Sequence, residues 1–253
     1  MPTRFIWDAV VRRARQADTI QGSMPHRLRR KMDFALGSGV PRADAHDMAQ
    51  WNFVPAQNRR SPPGFILPCQ PVLSKVVPTG PEWTHELKWD GYRIIARQER
   101  GSTRLWSRNA RNWAEAFPRI VEALERLPME SITLDGEAVC LTADGRSDFH
   151  ALRSKACREA RLVAFDLLSV EGRDLRPLPL WARRKQLAAL LEGLPDEALL
   201  FSSHVEGAEG EALFRHACAM NLEGIVLKRV ASPYRSGRFD GWRKIKCPAC
   251  QRR

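Results

Sequence analysis

The sequence predicts an α+β fold, with largely antiparallel sheets flanked by helices. Three observations lead there. Short runs of β-branched and aromatic residues come in hairpin-like pairs; helical spacing is confined to a few segments; and neither a regular strand–helix–strand alternation nor an internal repeat is present. With 253 residues, 43% apolar and 28% charged, the chain can bury one substantial core plus a small appendage.

Residues 1–64 stand apart. They are rich in Arg, Met, Ala and Gln, show weak helical periodicity from Phe5 to Ala14, and end in the linker-like NRRSPPG. They are expected to form a basic, poorly ordered extension, with a single domain over 65–250. Trp83 to Arg100 then reads as one long or two short strands, and Thr103 to Ser107 as the return strand after a Gly turn. Trp113 to Leu127 carries helical spacing through Phe117, Ile120, Val121, Leu124 and Leu127. Ser131 to Leu141 is a strand closed by the turn TADG, Phe149 to Lys155 a short helix, and Arg161 to Leu168 an apolar strand. Helices are predicted over Pro179 to Leu191 and Glu209 to Met220. Strands are predicted over Leu199 to Ser203, Gly224 to Val230 and Trp242 to Lys246.

The formal net charge of +12 favours a polyanionic partner such as nucleic acid. No apolar run approaches the roughly 18 to 20 residues of a bilayer crossing, and arginines occupy the place of a signal peptide's apolar segment. A cytoplasmic protein is expected. Its six cysteines are scattered except for Cys247-Pro-Ala-Cys250, and read as reduced thiols rather than a disulfide framework. That lone CxxC lacks a second Cys or His pair nearby and reads as a tail rather than a zinc site.

Chemistry is concentrated in a few strands. In HELKWDGYRI, at 85–94, strand alternation puts Glu86, Lys88 and Asp90 on one side and Leu87 and Trp89 on the other. Lysine is protonated at neutral pH and attacks poorly unless its surroundings disfavour the charge, so a nucleophilic Lys88 needs company. Asp135 and Glu137 share a face in TLDGEAV (133–139), as do Lys244 and Lys246 in WRKIK (242–246); EGIVLKR (223–229) is a third such strand. Each also has an ordinary reading: a solvated strand face, a turn beside an edge strand, a buried strand with charged ends.

Taken in order, these segments resemble the nucleotidyltransferase motifs of ATP-dependent DNA ligases, most closely the bacterial end-joining type. ELKWDGYR matches the family's Lys-x-Asp-Gly-x-Arg motif and LWSRNARNW its Ser-Arg-Asn segment. LDGE, AFDLL, EGIVLKR and WRKIK follow in the family's order, and the loop SPYRSGRFDGW also fits that branch. The resemblance spans about residues 65 to 247. It implies the fold shared by DNA ligases and mRNA-capping enzymes, and ATP as substrate with Mg²⁺ or Mn²⁺. By the same carry-over, Lys88 forms a lysyl-AMP adduct, AMP passes to a DNA 5′-phosphate, and a 3′-hydroxyl seals the nick. Glu86 would lie beside the adenine; Arg93 and Arg108 would contact ribose or phosphate; Glu137 would hold the ribose and help the metal; Glu223 would also bind the metal. Phe165 and Val226 would sandwich the adenine, Lys244 and Lys246 would neutralise phosphates, and Asp90 would orient Lys88 or support the metal.

The implied partner is nicked or broken double-stranded DNA, in the bacterial nucleoid. Family members that seal nicks usually carry a second, oligonucleotide-binding domain after the last motif, whereas only seven residues follow Lys246 here. Three explanations stay open: a minimal enzyme that adenylates itself weakly, a split system in which a separate protein supplies that domain or bridges ends, and a truncated product with degraded activity; a competent adenylation fold with weak or partner-dependent ligation is expected. Two other readings stay open from sequence: a DNA-binding module of the same fold without turnover, and an RNA ligase or capping-type nucleotidyltransferase.

Overall fold

A computed structural model describes residues 64–192, 194 and 198–248. Residues 1–63 of the basic extension, and Cys250 of the CxxC pair, lie outside the described residues. The strands divide into two sheets. The first takes β1 (Cys69–Leu73), β11 (Gly237–Lys246), β10 (Gly224–Arg229), β2 (Trp83–Leu87) and β9 (His204–Glu206) in that spatial order. The second takes β4 (Ser102–Ser107), β3 (Tyr92–Glu99), β5 (Ser131–Val139), β6 (Arg161–Val170) and β7 (Arg173–Asp174), with β8 (Leu199–Phe201) against β6. Pairing is antiparallel except for β1 with β11 and β6 with β8. The predicted α+β class, with mainly antiparallel sheets, is what the chain adopts.

Four α-helices are defined among the described residues: α1 (Pro118–Glu125), α2 (Phe149–Leu152), α3 (Leu180–Leu191) and α4 (Gly210–Ala219). α1 starts five residues later than its apolar spacing predicts. Pro118 cannot donate to a preceding turn and keeps Phe117 out of helical geometry, at φ −121° and ψ 58°. Trp113 instead stacks between Tyr92, at 5.0 Å, and Phe117, at 5.7 Å. α2 is capped by Asp148, whose carboxylate accepts from the Ala151 amide at 3.0 Å.

Apolar side chains separate into three clusters. One packs α1, α2 and α3 on the outer face of the second sheet, through residues such as Ile120, Leu124, Leu152 and Leu187. Another packs α4 on the outer face of the first sheet, through Trp83, Leu213, Ala217 and Ile225. The third joins the sheets face to face: Ile95, Phe165 and Leu168 meet Tyr234 and Trp242. β2 is consequently buried at all five positions, since α4 covers one face and the opposing sheet the other. Its alternation is therefore not apolar against solvated.

α3 docks through charge as well as hydrocarbon. Arg183 is fully buried and grips Asp166 with two hydrogen bonds of 2.7 and 2.8 Å, and also donates to the carbonyls of Leu178 and Ser232. Removing either partner of such a pair costs roughly 3–5 kcal/mol, because the survivor is left charged and dry.

The expectation that all cysteines are free thiols is corrected. Cys218, near the end of α4, and Cys247, just after β11, are joined by a disulfide with their Cα atoms 5.3 Å apart. Both elements end over the same apolar cluster, so tertiary packing brings together thiols 29 residues apart. Cys69, Cys140 and Cys157 keep their thiols reduced. No helix among the described residues is long and apolar enough to cross a membrane.

Candidate active site

The stretch that carries Lys88 is not one strand. β2 ends at Leu87, in the first sheet, and β3 begins at Tyr92, in the second, so Lys88 to Gly91 are where the chain crosses between sheets. Gly91 is required at that crossing, because a Cβ there would stand 2.2 Å from the Ala138 carbonyl oxygen. Lys88 is tied to the neighbouring strand by its amide, which donates to the Gly224 carbonyl at 2.9 Å. The crossing sets its amine at the mouth of a cleft of about 240 Å³ between the sheets.

Strand register supplies the walls. On the first sheet Lys244, Val226, Glu86 and His204 stand in one cross-strand row over β11, β10, β2 and β9. On the second, Arg93 on β3 faces Glu137 on β5, and Ile95 faces Asp135 one row along. Glu86, Lys88, Arg93, Arg108, Glu137, Phe165, Val226 and Lys244 all line the cleft. Glu223 and Lys246 stand at its rim beside Lys88. The Lys88 amine donates to Glu223 Oε2 at 2.5 Å, and Lys246 Nζ lies 3.0 Å from Glu223 Oε1. Asp90 is exposed at the same rim, its amide donating to Ser147 Oγ at 3.3 Å.

Charge is unevenly solvated here. Burial pushes the Glu137 carboxyl up to about 7; Arg93 and Lys88 pull it down, and Asp135 and Glu223 push it further up. Burial also acts to raise Glu223, but Lys88 and Lys246 outweigh it and hold that carboxyl below the usual range. Lys244 is lowered by burial and by the cations of Lys88 and Lys246. Arg93 is fixed from behind: Asp135 accepts two hydrogen bonds from it, at 2.6 and 2.8 Å, and another from the Tyr234 hydroxyl at 2.6 Å. Its guanidinium lies 4.4 Å from the centre of the Phe165 ring.

Glu86 is not a free edge of the cleft. Its Oε1 accepts from Arg184 at 2.7 Å and lies 2.8 Å from Lys228 Nζ, and its Oε2 accepts from Ser202 Oγ at 2.9 Å. Lys228, Trp242 and Cys69 also line the cleft, though sequence reading did not single them out. Alternation had the signal for two of them: Lys228 shares a strand face with Val226, and Trp242 with Lys244. Arg184 had none, lying on a helix 98 residues from Glu86.

As to a divalent ion, no group of three or more His, Cys, Asp or Glu suited to a metal is found among the described residues. Two carboxylates stand near Lys88, which pulls the pKa of Glu137 down and pairs with Glu223, and Glu223 lies close enough to push Glu137 up. That sparse oxygen set fits Mg²⁺, which keeps several waters and is held by one or two carboxylates plus phosphate oxygens.

Two opposed sheets with a lysine at their crossing, ringed by acids and cations, define the nucleotidyltransferase class of fold. Within that class the chain belongs to the ATP-dependent DNA ligase domain family, whose sequence model matches residues 68–246. It is 43% identical over 190 residues to the multifunctional non-homologous end joining protein LigD of Pseudomonas aeruginosa, covering 73% of this chain and 22% of that protein. A mycobacterial DNA ligase D structure complexed with ATP and MES superposes with a TM-score of 0.61 at 30% identity, covering 71% of this chain and 59% of that one. The bacteriophage T7 ATP-dependent ligase complexed with ATP shares the fold, at a TM-score of 0.54 and 16% identity over 71% of this chain and 68% of that one. The chain thus spans only about a fifth of the curated LigD protein's length.

Proposed function

We propose that this chain catalyses adenylyl transfer for DNA end joining: it attaches AMP to Lys88, passes it to the 5′-phosphate of nicked or broken duplex DNA, and supports sealing by a 3′-hydroxyl. The observation that carries this reading is the Lys88 amine at the cleft mouth, 2.5 Å from Glu223, with Arg93, Glu137 and Lys244 lining the walls behind it. The end-joining context comes from the LigD relatives.

In the first step the Lys88 nitrogen bonds to the α-phosphorus of ATP as the bond from that phosphorus to the pyrophosphate oxygen breaks, and the amine sheds its proton. The Lys88–Glu223 ion pair must part for this. Lys246 shares that carboxylate, so Glu223 keeps a counter-charge when Lys88 leaves it. Lys244 and Arg108 supply positive charge where negative charge builds on the phosphate oxygens, and walls of Phe165, Val226 and Trp242 keep water from the base. Mg²⁺ or Mn²⁺ on Glu137 and Glu223 would neutralise the phosphates further. In the second step the phosphoramidate bond breaks as AMP bonds to the DNA 5′-phosphate. In the third, the 3′-hydroxyl displaces AMP and closes the backbone. Covalent catalysis by Lys88 divides one difficult condensation into activated steps.

The test is incubation of the purified protein with α-labelled ATP and Mg²⁺, then addition of a nicked duplex. An acid-labile adduct on the unaltered protein, absent from Lys88→Ala and discharged by nicked DNA, is expected. No adduct, or label retained in Lys88→Ala, would refute the mechanism; nick binding without any adduct would instead mark a DNA-binding module.

A further inference from the structure

Behind the cleft, one side chain touches both sheets. Arg184 leaves α3 almost fully buried, 4% exposed, and spends its guanidinium on three separate elements. Nη1 donates to Glu86 Oε1 on β2 at 2.7 Å and to the Phe165 carbonyl on β6 at 3.0 Å. Nη2 donates to the Ser202 carbonyl at 2.5 Å and to His204 Nδ1 on β9 at 3.1 Å. His204 is suited to accept. Burial first, and the Arg184 charge second, push its pKa down to about 4, so the ring is neutral at physiological pH.

We infer that Arg184 is a positioning residue that sets the base selectivity of the nucleotide pocket, by fixing Glu86 on one sheet relative to Phe165 on the other. This deepens the reading above and rests on it, since it takes the cleft to hold the base of ATP, with Glu86 and Phe165 beside it. The physical case has two parts. Glu86 is buried, which alone would favour a neutral carboxyl, but Arg184 and Lys228 outweigh the burial and keep its pKa below the usual range. An ionised carboxylate only accepts hydrogen bonds. Set against position 6 of the purine ring, where the reading above puts it, this acceptor bonds the amino group of adenine and repels the carbonyl oxygen of guanine.

The second part is distance. Phe165 and Glu86 belong to different sheets, and their separation decides whether a ring stacked on one can meet the other. Arg184 reaches both residues through Nη1 while Nη2 is anchored on Ser202 and His204, so a planar, rigid group spans that gap and is itself held in place. Lysine cannot reproduce it: its ammonium is a point charge on a flexible stem, without the fork that reaches several acceptors at once. Losing the tie should cost selectivity more than it costs turnover of bound nucleotide.

The experiment measures initial rates of lysyl-nucleotide formation with ATP, and their inhibition by GTP, in the unaltered protein and in Arg184→Lys, Arg184→Gln, Glu86→Gln and the double variant Arg184→Gln/Glu86→Gln. The Arg184 variants should raise the KM for ATP with a smaller change in kcat, and lower the ATP-to-GTP preference on the order of tenfold, the size expected for a misplaced charge-assisted hydrogen bond. The double variant should lose no further preference than Glu86→Gln alone, because Arg184 acts through Glu86. His204→Leu, which removes one acceptor of Arg184, should shift the preference in the same direction by less, and serves if Arg184→Gln fails to fold. An unchanged preference in folded Arg184→Lys and His204→Leu, or additive losses in the double variant, overturns the inference and leaves the adenylation reading intact. Absence of any adduct on the unaltered protein overturns both.

Discussion

Replacing Glu137 with glutamine isolates the cost of placing a carboxylate beside Lys88. The side chain keeps its size and its place on β5, and only the charge goes. Burial, partly offset by Arg93 and Lys88, lifts this carboxyl from an ordinary 4.5 to about 7 in the folded protein. The folded state therefore holds the proton more tightly than the unfolded chain. The resulting stabilisation is complete below pH 4.5 and is lost as pH rises through 7. The gap between those values, at about 1.4 kcal/mol per pH unit, corresponds to at most roughly 3 kcal/mol, less whatever its part-exposed face recovers from water. For a domain of this size, that is a difference in melting temperature on the order of 5–10 °C. Without divalent ions, Glu137→Gln should melt close to the unaltered protein at pH 4.5, and well above it at pH 8. Urea titrations at the two pH values give the same comparison as free energies. Mg²⁺ should then raise the melting point of the unaltered protein at pH 8, lose that effect below pH 7 as protons compete for the carboxylate, and do little for Glu137→Gln. If the two proteins' melting curves move in parallel between pH 4.5 and 8, Glu137 does not carry a buried charge and the electrostatic account of the cleft is wrong.

Asp135→Ala strands the Arg93 guanidinium and the Tyr234 hydroxyl, so a loss of about 3–5 kcal/mol in unfolding free energy is expected by urea titration; an unchanged midpoint contradicts the buried ion-pair argument. The Cys218–Cys247 bond closes a loop of 29 residues, for which chain entropy suggests about 3–4 kcal/mol. Dithiothreitol should therefore lower the melting point of the unaltered protein to that of Cys218→Ser, and leave the variant untouched; a reductant-insensitive melt of the unaltered protein contradicts the pairing.

Much of the candidate site could be read from the chain because strand alternation is local. Asp135 and Glu137 share a face wherever the strand lies, and so do Lys244 and Lys246. The Asp-Gly and Glu-Gly pairs had a reason that sequence could not supply. Gly224 adopts φ +145°, and a Cβ on it would lie 2.0 Å from the Ile245 carbonyl oxygen, so only glycine lets Glu223 stand where β10 meets β11. β1 was missed outright. It contains Pro71, which breaks a central-strand pattern, and it survives as a bulged edge strand paired parallel to β11. β9, only three residues long, lacked enough alternation to be seen.

The amino-acid sequence by itself determined which residues could do chemistry: the lysine, the acids and the phosphate-seeking cations, in an order that resembles one family. It also determined most strands and helices, because periodicity and turn residues act within a few positions of one another. Only the tertiary structure decided that the chain changes sheets between Leu87 and Tyr92, which sets Lys88 at a cleft mouth rather than on a strand face. The same holds for the Cys218–Cys247 pairing, and for the two arginines of α3 that bind buried acids instead of solvent. Those outcomes depend on which surfaces exclude water on both sides of a strand or helix, and that is fixed by partners far away along the chain.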